Sequence, residues 1–119
     1  MARRPDPVSF LPLKTEVALI LMALEGRPLH GYAIIKDVRE RSDGGTELQT
    51  GALYRHLRRL LEDALIVEVE RPAGQDSDDE RRRYYKATPL GRDVLEADLA
   101  RMSRLVQAAR SPRTARTRS

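Results

Sequence analysis

Apolar and polar positions along the chain follow a helical period, change to alternation, and return to a helical period. Leu13, Val17, Ile20, Leu21 and Leu24 recur at three- and four-residue steps and predict a first helix over 13–25. Ala18, Leu19, Met22 and Ala23 make that helix apolar nearly all round, which predicts burial on more than one side. Gly26 ends it and Pro28 keeps it from resuming. Tyr32, Ile35 and Val38, with Ile34 beside them, predict a second helix opening at His30-Gly31-Tyr32 and running to about Arg41; Ser42-Asp43-Gly44-Gly45 is a turn signal. Gln49 to Ala64 predicts a third helix, with Leu53, Leu57, Leu60 and Ala64 on one stripe and Leu61 beside it. Alternation then takes over: Ile66, Val67 and Val69, with Glu68 and Glu70 between, predict a short strand within 65–71, and residues 81–88 read as its return partner. Thr88-Pro89 is a strong helix start, a capping hydroxyl followed by a residue suited to the first turn. Leu95, Leu99, Met102, Val106 and Ala109 continue from it at alternating steps of four and three, an a/d seam over about two heptads.

The third helix is the organising element, because its two faces differ. Opposite the leucines lie Arg55, Arg58 and Arg59, with His56 near them, and its start carries only small groups, Thr50, Gly51 and Ala52. A slim N-terminal end, a basic outer ridge and an apolar stripe for the scaffold are what a helix needs to enter a DNA major groove. Alone, such a ridge reads more simply as a solvated face. Its neighbours change the balance. A helix of similar length precedes it across a short Gly-containing connection, as in a helix-turn-helix. A β-hairpin follows it, whose return strand carries Arg81, Arg82, Arg83 and Lys86 interleaved with Tyr84 and Tyr85, a basic and aromatic edge suited to a phosphate backbone. Asp76, Asp78, Asp79 and Glu80 in the hairpin loop would be repelled by DNA and are expected to point away from it or to screen the arginines. The predicted fold class is therefore mainly α with a small β-hairpin: a winged helix-turn-helix over 13–88 and a dimerisation helix over 89–109. A flexible arm of 1–12, with Pro5, Pro7 and Pro12, precedes it, and a disordered basic tail of 110–119 follows. The apolar faces of the first and last helices, Leu13, Val17, Leu21, Leu95, Leu99, Met102 and Val106, predict a homodimer.

Composition narrows the functions. There is no cysteine, which removes disulfides and thiolate metal sites. The longest uninterrupted apolar run, Val17 to Leu24, is too short to span a membrane, and Lys14 and Glu16 interrupt any signal-peptide core, so a cytoplasmic protein, nucleoid-associated when DNA-bound, is expected. The net charge of +4 overstates the basic character. Arg110, Arg113, Arg116 and Arg118 stand in a tail without acids, so residues 1–109 are formally neutral and attraction to nucleic acid must come from charge distribution. His30 and His56 are the only imidazoles, sit on different elements, and have no partner at metal or catalytic spacing; His30 reads as a packing or capping residue. No Gly-rich phosphate loop or catalytic carboxylate pair is present, so neither an enzyme nor a cofactor is expected.

Three stretches, taken in order, resemble the PadR family of bacterial transcription regulators: Leu29-His30-Gly31-Tyr32 with Ile34-Ile35; Gly51-Ala52-Leu53-Tyr54 with Leu57 and Arg59-Leu60; and Arg83-Tyr84-Tyr85-Lys86-Ala87-Thr88 with Gly91. The resemblance runs from about Leu13 to Val106. It implies a winged helix-turn-helix homodimer, held by its last and first helices, on a two-fold operator. It further implies repression in most members and, in some, release by a small phenolic or drug-like effector. By resemblance, DNA contacts fall on Tyr54, the early recognition helix and the basic wing. Ala64 stands where the family usually has glycine, a cost of about 1 kcal/mol if that turn needs φ > 0. Ala87 stands where a larger aliphatic is usual, and no long C-terminal domain follows, as in the short branch of the family.

The combined reading is a sequence-specific DNA-binding regulator, a repressor acting as a homodimer. Its expected DNA-binding residues are Thr50, Gly51, Ala52, Tyr54, Arg55, His56, Arg58, Arg59, Arg82, Arg83, Tyr85 and Lys86. The alternative is a winged-helix module that docks on another protein, which the neutral body and acidic loop also fit.

Overall fold

The computed structural model describes residues 4–72 and 82–112. Arg3, the loop acids Asp76, Asp78, Asp79 and Glu80, Arg81, and the tail arginines Arg113, Arg116 and Arg118 lie outside the described residues. The order is α1 (Thr15–Glu25), β1 (Leu29–His30), α2 (Gly31–Arg41), α3 (Thr50–Glu62), β2 (Ile66–Val69), β3 (Tyr84–Ala87) and α4 (Pro89–Arg110), with a 3-10 turn at Pro7–Phe10 ahead of α1. Every helix expected from periodicity is present. The arm is not extended throughout: Asp6 caps the 3-10 turn by accepting from the Val8 N–H, and the turn packs on α4.

The sheet has the order β1-β3-β2, antiparallel throughout. Ile66 faces Ala87 and Val69 faces Tyr84, while Leu29 and His30 add a third strand opposite Tyr85 and Tyr84. β3 is thus central, and this corrects the expected aromatic edge. Tyr84 and Tyr85 point to opposite faces, yet both are buried, because α1 and α4 pack against β3 and the ring of His30 on β1 meets Tyr84.

One core joins the elements. Ile20, Leu21 and Leu24 of α1, Ile34 and Val38 of α2, Leu53, Leu57 and Leu60 of α3, and Val94 and Leu95 of α4 are all buried in it. Leu21 and Leu95 therefore belong to this chain's own interior and present no side chain to a partner, a correction to the expected dimer set. Leu13, Val17 and Met102 are partly covered against the core. Past Asp98 the picture changes. Leu99, Leu105 and Val106 are 40%, 57% and 49% exposed, and α4 is exposed from Ser103 to its end.

The turns that aim α3 are well defined. α2 ends with Gly44 N–H bonded to Arg39 O and Asp43 N–H to Glu40 O, with Asp43 at φ 53. α3 ends the same way, Leu65 N–H to Leu60 O and Ala64 N–H to Leu61 O, with Ala64 at φ 60. Both are Schellman closures, which place their penultimate residue in the left-handed region. The turn at Ala64 does need φ > 0. It is held from outside: Thr88 donates its hydroxyl to Ala64 O at 2.6 Å and its N–H to Leu65 O at 3.0 Å. The same hydroxyl caps α4 by accepting from Gly91 N–H at 3.0 Å. Gly91 is required there, since a Cβ would lie 2.0 Å from the Leu65 carbonyl oxygen.

Candidate nucleic-acid interface

Leu53, Leu57 and Leu60 are fully buried, which fixes the roll of α3 and turns the intervening positions outward. Thr50, Gly51, Tyr54, Arg55, Arg58 and Arg59 are exposed, and Ala52 is half-buried. Arg55 folds back along the helix, its Nη1 lying 3.8 Å from where a Cβ on Gly51 would be, so its guanidinium sits by the slim N-terminal end. Arg59 is engaged by Asp63 at 3.2 Å one turn on. Arg55 and Arg58 form no ion pair among the described residues.

His56 does not flank this ridge. Its Nε2 lies 2.7 Å from Glu16 Oε1 on α1, and the imidazole is mostly covered. It ties α3 to α1 and points away from the exposed arginines. No sequence pattern marks a pair forty residues apart, so this contact was not readable in advance.

The wing meets α3 at a second place. His30, Gly31, Tyr32, Tyr54, Arg82, Arg83 and Tyr85 line an open hollow of about 400 Å³ between the start of α2, α3 and β3. Tyr54 lies across the backbone of Gly31; a Cβ on Gly31 would be 2.6 Å from the phenol oxygen. Arg83 is 3.8 Å from Glu68 across the hairpin, while Arg82 and Lys86 are exposed and without an ion pair among the described residues. Tyr85 contributes a wall of the hollow from a buried position, and burial raises its phenol pKa, with Glu68 and Tyr54 adding to the effect and Arg83 opposing it. His30 has the capping role expected of it: Nδ1 accepts from Ala33 N–H at 3.2 Å, and its ring meets Tyr84 edge-on at 5.3 Å. Sequence reasoning gave neither His30 nor Tyr32 a place at the interface; the histidine was readable only as a cap, and Tyr32 only as part of an inner face, although it is 73% exposed.

Among the described residues no group of three or more histidines or carboxylates could hold a metal ion, and no helix is long and apolar enough to cross a membrane.

Comparison with known proteins agrees with this geometry. The model of the Transcriptional regulator PadR-like family matches residues 20–97. The transcriptional regulator Rv3488 of Mycobacterium tuberculosis is 36% identical over 69 residues, 58% of this chain and 61% of that protein. The chain spans less than two thirds of the length of the first curated relatives it matches, 23% of one and 61% of the other. A PadR family transcription regulator from hypervirulent Clostridium difficile R20291 superposes with a TM-score of 0.67 at 30% identity, over 80% of this chain and 94% of that one. Bacillus subtilis PadR, solved in complex with operator DNA, shares the fold with a TM-score of 0.60 at 22% identity, over 74% of this chain and 48% of that one. The family model covers the two helices and the sheet that build the hollow and the basic ridge, together with the start of α4, and the chain belongs to the PadR-like family of transcriptional regulators.

Proposed function

We propose that this chain is a sequence-specific DNA-binding regulator, a repressor that acts as a homodimer on a two-fold operator. The observation that carries the reading is the start of α3: small and largely exposed, with Arg55 folded beside it and Arg58 one turn on, both free of acidic partners among the described residues. Arginine reads guanine by a bidentate pair worth about 1–3 kcal/mol of discrimination. Thr50, Gly51 and Ala52 let the helix end approach the base edges. Tyr54, Arg58, Arg59, Arg82, Arg83 and Lys86 set its register on the backbone. The protein solved with operator DNA has the same fold, which supports the docking mode.

Dimerisation rests on the free half of α4. Leu99, Leu105 and Val106 leave an exposed apolar face on α4, and Met102 on α4, Val17 on α1 and Leu13 just ahead of α1 are only partly covered. A small-molecule effector remains part of the family expectation and attaches to no residue of this chain.

The test is binding of the purified protein to DNA upstream of its own gene and to a scrambled duplex of equal length, across a salt series. Preference for the first by about 10³-fold or more, with a steep salt dependence, is the expected result. Equal binding to both, lost on deleting Arg110 to Ser119, would assign the attraction to the tail alone and return the protein-docking alternative.

A further inference from the structure

Both ring nitrogens of His30 face N–H donors. Nδ1 is committed as the cap of α2, accepting from Ala33 N–H. A neutral ring whose Nδ1 accepts must carry its proton on Nε2, which then can only donate. Yet the group 3.2 Å from Nε2 is Arg82 Nη1, and a guanidinium has no lone pair to offer. With the tautomer that keeps the cap, two donors face each other at hydrogen-bond distance, at the wall of the hollow that Tyr54 and Tyr32 also line; the other tautomer lets Nε2 accept from Arg82 at the expense of the cap. Protonating His30 does not resolve the clash, since it would destroy the cap and place a second cation beside Arg82. The opposing donors are satisfied together by one acceptor with several lone pairs seated between them.

We propose that His30 and Arg82 form a clamp for a single phosphodiester of the DNA backbone, with His30 donating from Nε2–H as a neutral ring. This rests on the DNA-binding reading above and adds a residue to it. The helix cap selects the tautomer, and the tautomer supplies the donor. Arg82 brings the charge; Tyr54, laid across Gly31, places its hydroxyl at the same hollow. The clamp is a positioning device. It carries no base information, and it locks the start of α2 to the wing only when DNA is present.

The two side chains have different signatures. Arg82 neutralises a phosphate and displaces a counterion, so Arg82→Gln should flatten the dependence of log K on log salt by about 1. A neutral histidine displaces none. His30→Asn keeps a good N-cap and removes the distal donor together with the edge-on contact on Tyr84, the loss of which is read separately in the thermal midpoint. It should weaken binding about tenfold on every sequence while leaving the salt slope unchanged.

The experiment uses a duplex selected from a random pool by the wild-type protein, titrated with wild type, His30→Asn and Arg82→Gln. The titrations are repeated on duplexes carrying one neutral methylphosphonate at each backbone position in turn. One position per half-site should be most sensitive in wild type, less so in His30→Asn, where Arg82 still meets the phosphate, and least in Arg82→Gln, which has lost the cation. His30→Asn binding as tightly as wild type, with an unchanged thermal midpoint, would reduce His30 to a helix cap and overturn the clamp while leaving DNA binding intact. Sensitivity to the same methylphosphonate that is undiminished in His30→Asn would do the same. A wild-type protein that selects no duplex at all would overturn the functional reading and the clamp with it. A free phosphate site is distinguished by competition: inorganic phosphate that abolishes the Arg82 contribution in the absence of DNA-length dependence would move the ligand from backbone to free anion, against the proposal.

Discussion

The phenol of Tyr54 rests on the backbone of Gly31, so close that a single added methyl would lie 2.6 Å from its oxygen. The second residue of the contact explains the first: only a residue without Cβ lets the α3 tyrosine cross the start of α2. The obstructing atom is the far end of a side chain that can swing away, and alanine is the better helix former by about 1 kcal/mol. Gly31→Ala is therefore expected to leave stability within about 1 kcal/mol of wild type, by denaturant titration. It should displace Tyr54 and weaken binding to matched and scrambled DNA alike. A large fall in stability would mean that Leu53, whose Cδ2 would lie 3.3 Å from the new methyl, is the atom that cannot move.

Arg55 and Arg83 are expected to fail in different ways. Arg55→Ala should relax sequence preference, costing about 1–3 kcal/mol on the matched site and little on the scrambled one. Arg83→Ala should weaken both by a similar factor. Titration of each variant on both duplexes separates the cases, and equal losses for Arg55→Ala would remove it from base reading.

Ala64 and Gly91 are opposite errors of size around one carbonyl pair. Ala64 occupies φ 60, where an L side chain costs about 1–2 kcal/mol. Ala64→Gly should stabilise the fold by about 1 kcal/mol once the added freedom of the unfolded chain is subtracted. Gly91→Ala drives a methyl into the Leu65 carbonyl and should cost about 3 kcal/mol or more, because backbone is what must move. Thermal unfolding of the two variants tests both signs.

The exposed end of α4 should govern assembly without governing folding. Leu105→Glu with Val106→Lys changes side chains that are 57% and 49% exposed, so the helical signal and thermal transition of the monomer should persist. Sedimentation equilibrium is expected to show loss of the dimer, and DNA affinity should fall with it.

Acid should destabilise the fold through His30. Burial first, and Arg82 second, lower its pKa below the ordinary histidine value. The unfolded chain therefore binds the proton more readily, and stability is expected to fall as pH drops below about 6.5, the unperturbed value. The slope of unfolding free energy against pH between 5 and 7 should be shallower in His30→Asn by the share that this residue contributes. An identical slope in both proteins would move the dependence elsewhere.

How far the sequence could be read depended on the range of each contact. The α3 stripe, the Thr88-Pro89 start of α4 and the cost hidden in Ala64 are local, set by residues within one or two turns of each other. The burial of Tyr84 and Tyr85 is not local. It follows from β1, a strand of two residues too short to have a period, arriving from far upstream to make β3 central. Leu21 and Leu95 read equally well as core or as interface, because apolar spacing does not say which surface a stripe meets. Only the packed chain distinguishes them from Leu99 and Val106. His56 was misplaced for the same reason, since its partner Glu16 is on another helix.

Thr88 has a consequence beyond the turn it closes. Its hydroxyl holds the end of α3 with its hydrogen and the beginning of α4 with its lone pair. The axle that carries the reading head is thus pinned to the lever that would join two copies. Tilting the start of α4 against the body strains a 2.6 Å bond to Ala64 O and a 3.0 Å bond to Leu65 O, so a disturbance of α4 is passed to the end of α3 through a single residue.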